Sequence, residues 1–286
     1  MIEAIGKARE SMFEATLALG TGSASIGFNR RRVRDGKLEM WWRNAEKQPS
    51  HPLDPVLSVL RVQDPAGRAR AVLVHYACHA TVLGPDNLQY SADYPGAMRR
   101  LIEKERPGVT ALFVQGAAGD INPFFDKQPV ADRGLAVMEE TGAELGRAAL
   151  GPLDRARPLK TAGLRLASET REFRNRWKAD EKTAVGLTAG VIGGDVCFLA
   201  LPGEPFIEHQ VAFREKSECA AGLLFGYSYS AGGDWAGYLP TIRAAVEGGY
   251  GAGYNTTVEV GAGETLVDRG VVHLYRLRGL LGELPQ

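Results

Sequence analysis

The sequence predicts an α/β fold with a mixed sheet or sheets flanked by helices. Three observations carry this. Apolar runs of strand length recur along the chain and are separated by longer, helix-like segments. Four of them, Val72 to Thr81, Thr110 to Val114, Val196 to Leu201 and Leu223 to Tyr229, lead into loops of small or polar residues. The order mixes strand–helix units with hairpins, which favours a mixed sheet over a strictly parallel one.

In chain order, Ile2 to Leu19 has apolar residues near helical spacing and predicts an amphipathic helix. Gly20 to Phe28 is small and polar, a short strand or loop. Asn29 to Pro55, rich in Arg, Trp and Pro, reads as an irregular excursion. Val56 to Val62 and Ala69 to Ala77 read as strands joined by Pro65-Ala66-Gly67-Arg68, a hairpin. Tyr94 to Glu105 reads as a helix with Asp93 as N-cap and Pro95 in its first turn, ended by Pro107-Gly108. The Thr110 strand follows, then a long helix over Gly134 to Leu150. Leu159 to Thr170 alternates in part, as an edge strand does, and Phe173 to Leu187 is charged without a clear period. Gly193-Gly194-Asp195 turns into the Val196 strand. Pro205 to Lys216 and Gly261 to Leu281 read as helices. No internal repeat or low-complexity linker interrupts the chain, which therefore reads as a single domain over residues 1–286.

Composition excludes several classes. The 286 residues are 44% hydrophobic, enough for a substantial core. Lys+Arg and Asp+Glu both number 34, and that balance argues against nucleic acid as partner. The basic run Arg30-Arg31-Arg32-Val33-Arg34 reads as a solvated loop. No stretch is long enough to span a bilayer, and Met1 to Glu10 is charged, unlike a signal peptide. Three cysteines are too few for a disulfide framework, and Cys78 and Cys197, inside apolar runs, read as buried small hydrophobes.

Loops past strand ends are where sheets with crossover helices bind ligands. His79, Glu204 and Tyr238 fall at such ends. A histidine nitrogen and a carboxylate oxygen are ordinary zinc ligands, and a tyrosinate is a rarer one. Each also has a structural reading: a hydrogen-bonded histidine, a carboxylate answering a helix dipole, a core tyrosine. Spacing alone does not connect them.

Their combination resembles the neutral, non-lysosomal ceramidase family. The motifs lie in the family's order. Ala77-Cys78-His79-Ala80-Thr81 resembles the segment of a zinc-ligand histidine, and Ser91-Ala92-Asp93-Tyr94-Pro95-Gly96 the Ser-x-Asp segment after it. Phe113 to Pro123, F-V-Q-G-A-A-G-D-I-N-P, resembles the Gly-Asp-Val-Ser-Pro region. Leu201-Pro202-Gly203-Glu204 resembles the zinc-ligand glutamate segment, and Gly237-Tyr238 with Glu247-Gly248-Gly249-Tyr250 the paired tyrosines. Asn29-Arg30 stands where the family has an Asn-Arg pair. The resemblance implies Zn2+ held by His79, Glu204 and Tyr238, with Tyr250 donating to the oxyanion and Arg30 serving that site or substrate binding. It implies hydrolysis of an N-acyl, ceramide-like lipid amide.

Two departures matter. The family's proposed nucleophilic serine is here Asn122, whose amide cannot serve as a general acyl acceptor. A zinc-activated water needs no such serine, because zinc lowers the pKa of its water to about 7. Asn122 is then left to orient substrate or water, and Asp120 to hydrogen-bond a ligand histidine or hold its loop. The family's earlier His-Thr-His segment has no counterpart before His79. His51 is a poor substitute, and His75 lies about 13 Å along an extended strand from His79. The expectation is that the chain begins after that segment, with Met1 an internal start, an artificial boundary or the start of a truncated gene, that it has no C-terminal immunoglobulin-like domain, and that it binds metal weakly. The compartment stays open, although the resemblance suggests a secreted or periplasmic protein.

The alternative from another class is a non-catalytic, ceramidase-like remnant that binds lipid or a partner chain. A Rossmann-type nucleotide binder fails on the glycine spacing of Gly116-Ala117-Ala118-Gly119 and on Pro123. Trp41 and Trp42 read as groove lining or packing, His209 as surface and His273 as structural.

Overall fold

The structure, a computed structural model, describes residues 2–160, 163–229 and 233–282. Thr161 and Ala162 in the expected Leu159–Thr170 strand, Ser230 to Gly232 in the expected Gly-rich segment, and both termini of the expected 1–286 domain lie outside the described residues.

Helix α1 (Ile2–Glu10) buries no side chain and stops well short of Leu19. Thr16 to Leu19 instead belong to strand β1 (Thr16–Ser23), whose full length pairs antiparallel with a later strand. Strands β2 (Gly27–Asn29), β3 (Arg31–Arg34) and β4 (Lys37–Met40) lie in and beside the expected excursion. β3 and β4 form a hairpin around Asp35-Gly36, both at positive φ, the Asp-Gly chemistry of a tight primed turn. Strands β5 (Val56–Gln63) and β6 (Ala69–Tyr76) form the expected hairpin.

Helix α2 (Asp93–Glu105) follows, but Ala92 occupies its N-cap. Asp93, at φ 50°, instead accepts hydrogen bonds from the backbone N–H groups of Val82, Leu83 and Tyr94, fastening the loop after β6. Strands β7 (Thr110–Gln115) and β8 (Ile121–Pro123) lead to the long helix α3 (Gly134–Asp154). Strands β9 (Arg157–Pro158), β10 (Leu164–Arg174), β11 (Lys182–Ile192), β12 (Val196–Ala200) and β13 (Glu204–Pro205) come next. The charged Phe173–Leu187 stretch is thus shared between two strands, with Phe173 opposite Thr183. Helix α4 (Ile207–Ser217), strands β14 (Ala221–Phe225) and β15 (Tyr238–Leu239), and helices α5 (Ile242–Glu247) and α6 (Ala262–Leu277) complete the described chain. No described helix is long and apolar enough to cross a membrane.

Two mixed sheets result, in the orders β7-β6-β5-β1-β9 and β10-β11-β12-β14. Each contains one parallel pair, β6 with β7 and β12 with β14, joined through helices α2 and α4. Alternate residues of a strand face opposite ways, and three apolar clusters follow. Val72 and Val74 pack toward α2 and α3; Cys197 and Leu199 pack toward α4 and α6; Leu73, Leu60, Val196 and Phe198 meet between the sheets. The layers are helix, sheet, sheet, helix. α3 lies so close to β1 that a Cβ on Gly20 would come 2.1 Å from the Pro152 carbonyl.

Two side-chain expectations are corrected. Cys197 is not a free buried thiol: it is disulfide-bonded to Cys219, Cα–Cα 6.0 Å, whereas Cys78 is free and buried. His209 is buried, not on the surface, because α6 passes so close that a Cβ on Gly263 would sit 2.3 Å from its Nε2.

His273 holds the second helix layer to its sheet. It hydrogen-bonds Glu169 of β10 at 2.7 Å, where Arg269 (2.9 Å) and Arg171 (2.9 Å) also donate. Burial alone would push Glu169 up, but these donors together bring its pKa from 4.5 down to about 2. A carboxylate depressed in the fold stabilises fully above its ordinary pKa and loses that contribution as pH falls toward about 2. Glu169→Gln is therefore expected to destabilise by about 1–2 kcal/mol at pH 7, a figure discounted for solvent screening at the cluster's edge. The cost should shrink at pH 3. Urea denaturation at both pH values checks this; an equal loss at both would contradict it.

Candidate active site

Because both parallel pairs run the same way into loops, the segments past β6, β7, β12 and β14 gather at one rim. Backbone hydrogen bonds tie them: Gly226 N–H donates to Gln115, and Gly119 N–H to Pro205. His79 sits just past β6 and is held twice by one carbonyl. Its backbone N–H and its ring Nδ1–H both donate to the Ile121 oxygen, at 3.0 and 2.9 Å. A carbonyl only accepts, so Nδ1 carries the proton and Nε2 is the atom left to meet Glu204 Oε2, 2.8 Å away.

Glu204 begins β13, which pairs parallel with β15 in a register that sets Glu204 opposite Tyr238. The Tyr238 ring lies 6.5 Å from the His79 ring, centroid to centroid. The structure thus brings His79, Glu204 and Tyr238 together. Burial acts to raise the Glu204 pKa, but the neighbouring His79 ring and the hydroxyls of Tyr227 and Tyr238 outweigh it and hold the carboxyl below its usual range. Burial pushes the Tyr238 phenol up, against the opposing pull of Arg30.

Arg30, His79, Asn122, Tyr238 and Tyr250 face one cavity of about 530 Å3, closed by Trp42, Arg43, Thr81, Asp126 and Lys127. The basic run is not the expected solvated loop, since Arg30 and Arg31 are buried. Arg30 donates to Asn122 Oδ1 (3.1 Å) and to the Gly119 carbonyl (2.7 Å). Its guanidinium carbon lies 4.8 Å from the Tyr250 ring centre and 5.4 Å from that of Tyr238. Tyr250 meets Tyr238 edge-on at 5.4 Å and Trp42 at 5.6 Å. Asn122 spends its amide N–H on Asp126.

Asp120 stands apart. Its carboxylate accepts from the Ile207 backbone N–H (2.8 Å) and from Asn29 (2.7 Å), and it borders a separate cavity of about 240 Å3. Burial raises its pKa despite those donors. Its contacts fasten the β7–β8 loop to β2 and α4; it makes none with His79. His51 borders that second cavity, and His75 is bonded to the Leu224 carbonyl at 2.9 Å, so neither reaches His79.

Solved structures share this fold. Over 99% of this chain, neutral ceramidase from Pseudomonas aeruginosa superposes with a TM-score of 0.76 at 16% identity. A ceramidase complexed with C2 superposes over 98%, also with a TM-score of 0.76, at 15% identity. The fold is the neutral ceramidase fold. The chain spans 55% and 57% of the lengths of these two ceramidase chains. No family model and no curated sequence matches it.

On this ceramidase fold the rim also holds residues that sequence reasoning missed. Tyr227, at φ 54° two positions past β14, donates its hydroxyl to Glu204 Oε2 at 2.9 Å and stacks on Trp235. Burial and the neighbouring Glu204 raise its pKa. Asp126 is buried and accepts from Thr81, Asn122 and Lys127. Position past a strand end was the available signal for Tyr227; Asp126 carried none.

The donor set is what decides whether a zinc ion fits. Among the described residues, no three His, Cys, Asp or Glu side chains gather, and the side chain set opposite Glu204 is the Tyr238 phenol. The Nδ1–H to carbonyl bond of His79 is the outer-shell arrangement usual for a ligating histidine, with Nε2 presented outward. One nitrogen and one carboxylate oxygen are ordinary zinc donors and a phenol is a rarer one, so this set could hold zinc only as an open, incompletely filled site.

Proposed function

We propose that this chain is a zinc-dependent hydrolase of linear N-acyl amides, ceramide-like in substrate. The observation that carries the reading is the 2.8 Å approach of His79 Nε2 to Glu204 Oε2. With Nδ1–H committed to Ile121, these two electron-rich atoms need a positive particle between them, a proton or a metal ion. His79, Glu204 and Tyr238 would hold the zinc. Bound there, zinc lowers the pKa of water to about 7 and polarises a carbonyl.

The remaining residues would act on the amide. The Tyr250 hydroxyl donates to the oxygen as negative charge develops there, and Arg30 places a fixed positive charge beside it. Both are pre-positioned, so no reorganisation is needed when charge forms. Asn122, held by Arg30 and Asp126, orients the substrate amide or the attacking water. Asp120 acts as a positioning residue, keeping the Gly119 loop against the Glu204 loop. The aromatic faces of Trp42 and Tyr250 would take the apolar part of the lipid. The Cys197–Cys219 bond suits an oxidising compartment.

The experiment is hydrolysis of a short-chain fluorescent ceramide. Turnover abolished by a chelator and restored by zinc is the expected result. Folded protein that takes up zinc yet cleaves no N-acyl amide would overturn the proposal and favour a lipid-binding remnant.

A further inference from the structure

The cavity carries more positive charge than amide hydrolysis uses. Three cations face it, Arg30, Arg43 and Lys127, against one lining carboxylate, Asp126. Lys127 is answered by Asp126 at 2.6 Å. Asp126 is then saturated by Thr81 and Asn122 as well. Glu204 is engaged by His79 and Tyr227. Neither Arg30 nor Arg43 has a carboxylate partner among the described residues, and the buried Arg30 Nε has no hydrogen-bond partner there. Arg30 and Lys127 lie over the Trp42 ring at 5.5 and 5.7 Å, and Arg43 follows Trp42 at the exposed mouth.

One developing oxyanion answers Arg30 and leaves Arg43 without a counter-charge. A neutral amide head group does not supply one. Unpaired guanidinium at a cavity mouth matches the planar acceptors of carboxylate or phosphate. We infer that the preferred ligand is an N-acyl amide whose amine half ends in an anionic group, carboxylate or phosphate, received by Arg43 beside Lys127. This rests on the amide-hydrolase reading for the placement of the amide, but not for the charge preference itself.

The test is calorimetric titration of the intact protein with N-lauroylglycine, N-lauroylethanolamine phosphate and uncharged N-lauroylethanolamine, each below its micellar concentration. At low salt at least one anionic ligand is expected to bind about fivefold to tenfold more tightly than the neutral amide. The advantage should shrink as salt rises. A preference confined to one acid identifies the head group as carboxylate or phosphate. Arg43→Gln is expected to remove most of the anionic-to-neutral ratio, while Arg165→Gln, on the exposed edge strand β10, leaves it intact. Thermal melts of both variants report folding. Equal or tighter binding of the neutral amide, no binding of either acid, or a ratio unchanged in Arg43→Gln would overturn the inference. Hydrolysis of the same compounds is scored separately. Acid-selective binding with no turnover of these amides or of the fluorescent ceramide by zinc-loaded protein would defeat the hydrolase reading alone.

Discussion

Glu204→Ala is expected to lower kcat/KM for amide hydrolysis by roughly a hundredfold to a thousandfold, the range for losing a charge-stabilising group in the transition state. The carboxylate faces His79 Nε2 at 2.8 Å and accepts from Tyr227 at 2.9 Å. Its removal leaves one nitrogen and phenols, too poor a set to retain a divalent ion. On the proposed reading the wild-type site is itself short of a four-ligand shell, so zinc should be held loosely and lost on prolonged dialysis. Elemental analysis before and after dialysis checks the metal. Glu204→Gln separates charge from shape: it can still accept from Tyr227 but carries no charge. Since the Glu204 carboxyl is depressed below its usual range, it stays ionised at neutral pH. Its contribution should fade only as pH falls through that lowered pKa. Full activity and unchanged zinc content in Glu204→Ala would remove the site from the candidates.

Gly119→Ala is expected to be the most damaging single methyl group near the rim. Its Cβ would lie 2.4 Å from the Glu204 carbonyl oxygen, 2.8 Å from Phe206 Cδ1 and 2.9 Å from the Pro205 oxygen. Two of those atoms are backbone and cannot swing away. The loop after β7 and the loop carrying Glu204 would have to part, straining the Gly119-to-Pro205 hydrogen bond. Overpacking of this kind costs about 2–3 kcal/mol, which for a chain this size lowers Tm by roughly 3–5 °C. Activity should fall with it, because Glu204 and the Gly119 carbonyl that receives Arg30 both move. Gly6→Ala, where a Cβ meets nothing within 4 Å, is the matched control. An unchanged Tm in Gly119→Ala would show that the loops yield freely.

Much of the architecture follows from local chemistry. The β5–β6 hairpin, helices α2, α3, α4 and α6, and the strands that lead into the rim all carried their period or turn residues in the chain itself. The β3–β4 hairpin carried its signal too, in Asp35-Gly36, and was obscured by the surrounding Arg and Trp. Thr16 to Leu19 was unreadable for another reason. Its apolar spacing suits a helix, and only a ladder with β5, some forty residues on, makes it a strand. Cys197 and Cys219 met through the pairing of β12 with β14, which an odd cysteine count cannot foresee.

The candidate site divides in the same way. His79, Glu204, Tyr238 and Tyr250 were picked out by resemblance in motif order, while their own spacing connected none of them. Their meeting depends on the parallel register of β13 with β15 and on two sheets ending at a common rim. Tyr227 on Glu204, Asp120 turned toward Asn29 and α4, and the burial of Arg30 depend on it as well. Periodicity, caps and turns are properties of a few neighbouring residues, so a linear chain displays them. Convergence of side chains more than a hundred residues apart is a property of register and layer packing, which exists only once the sheets have formed.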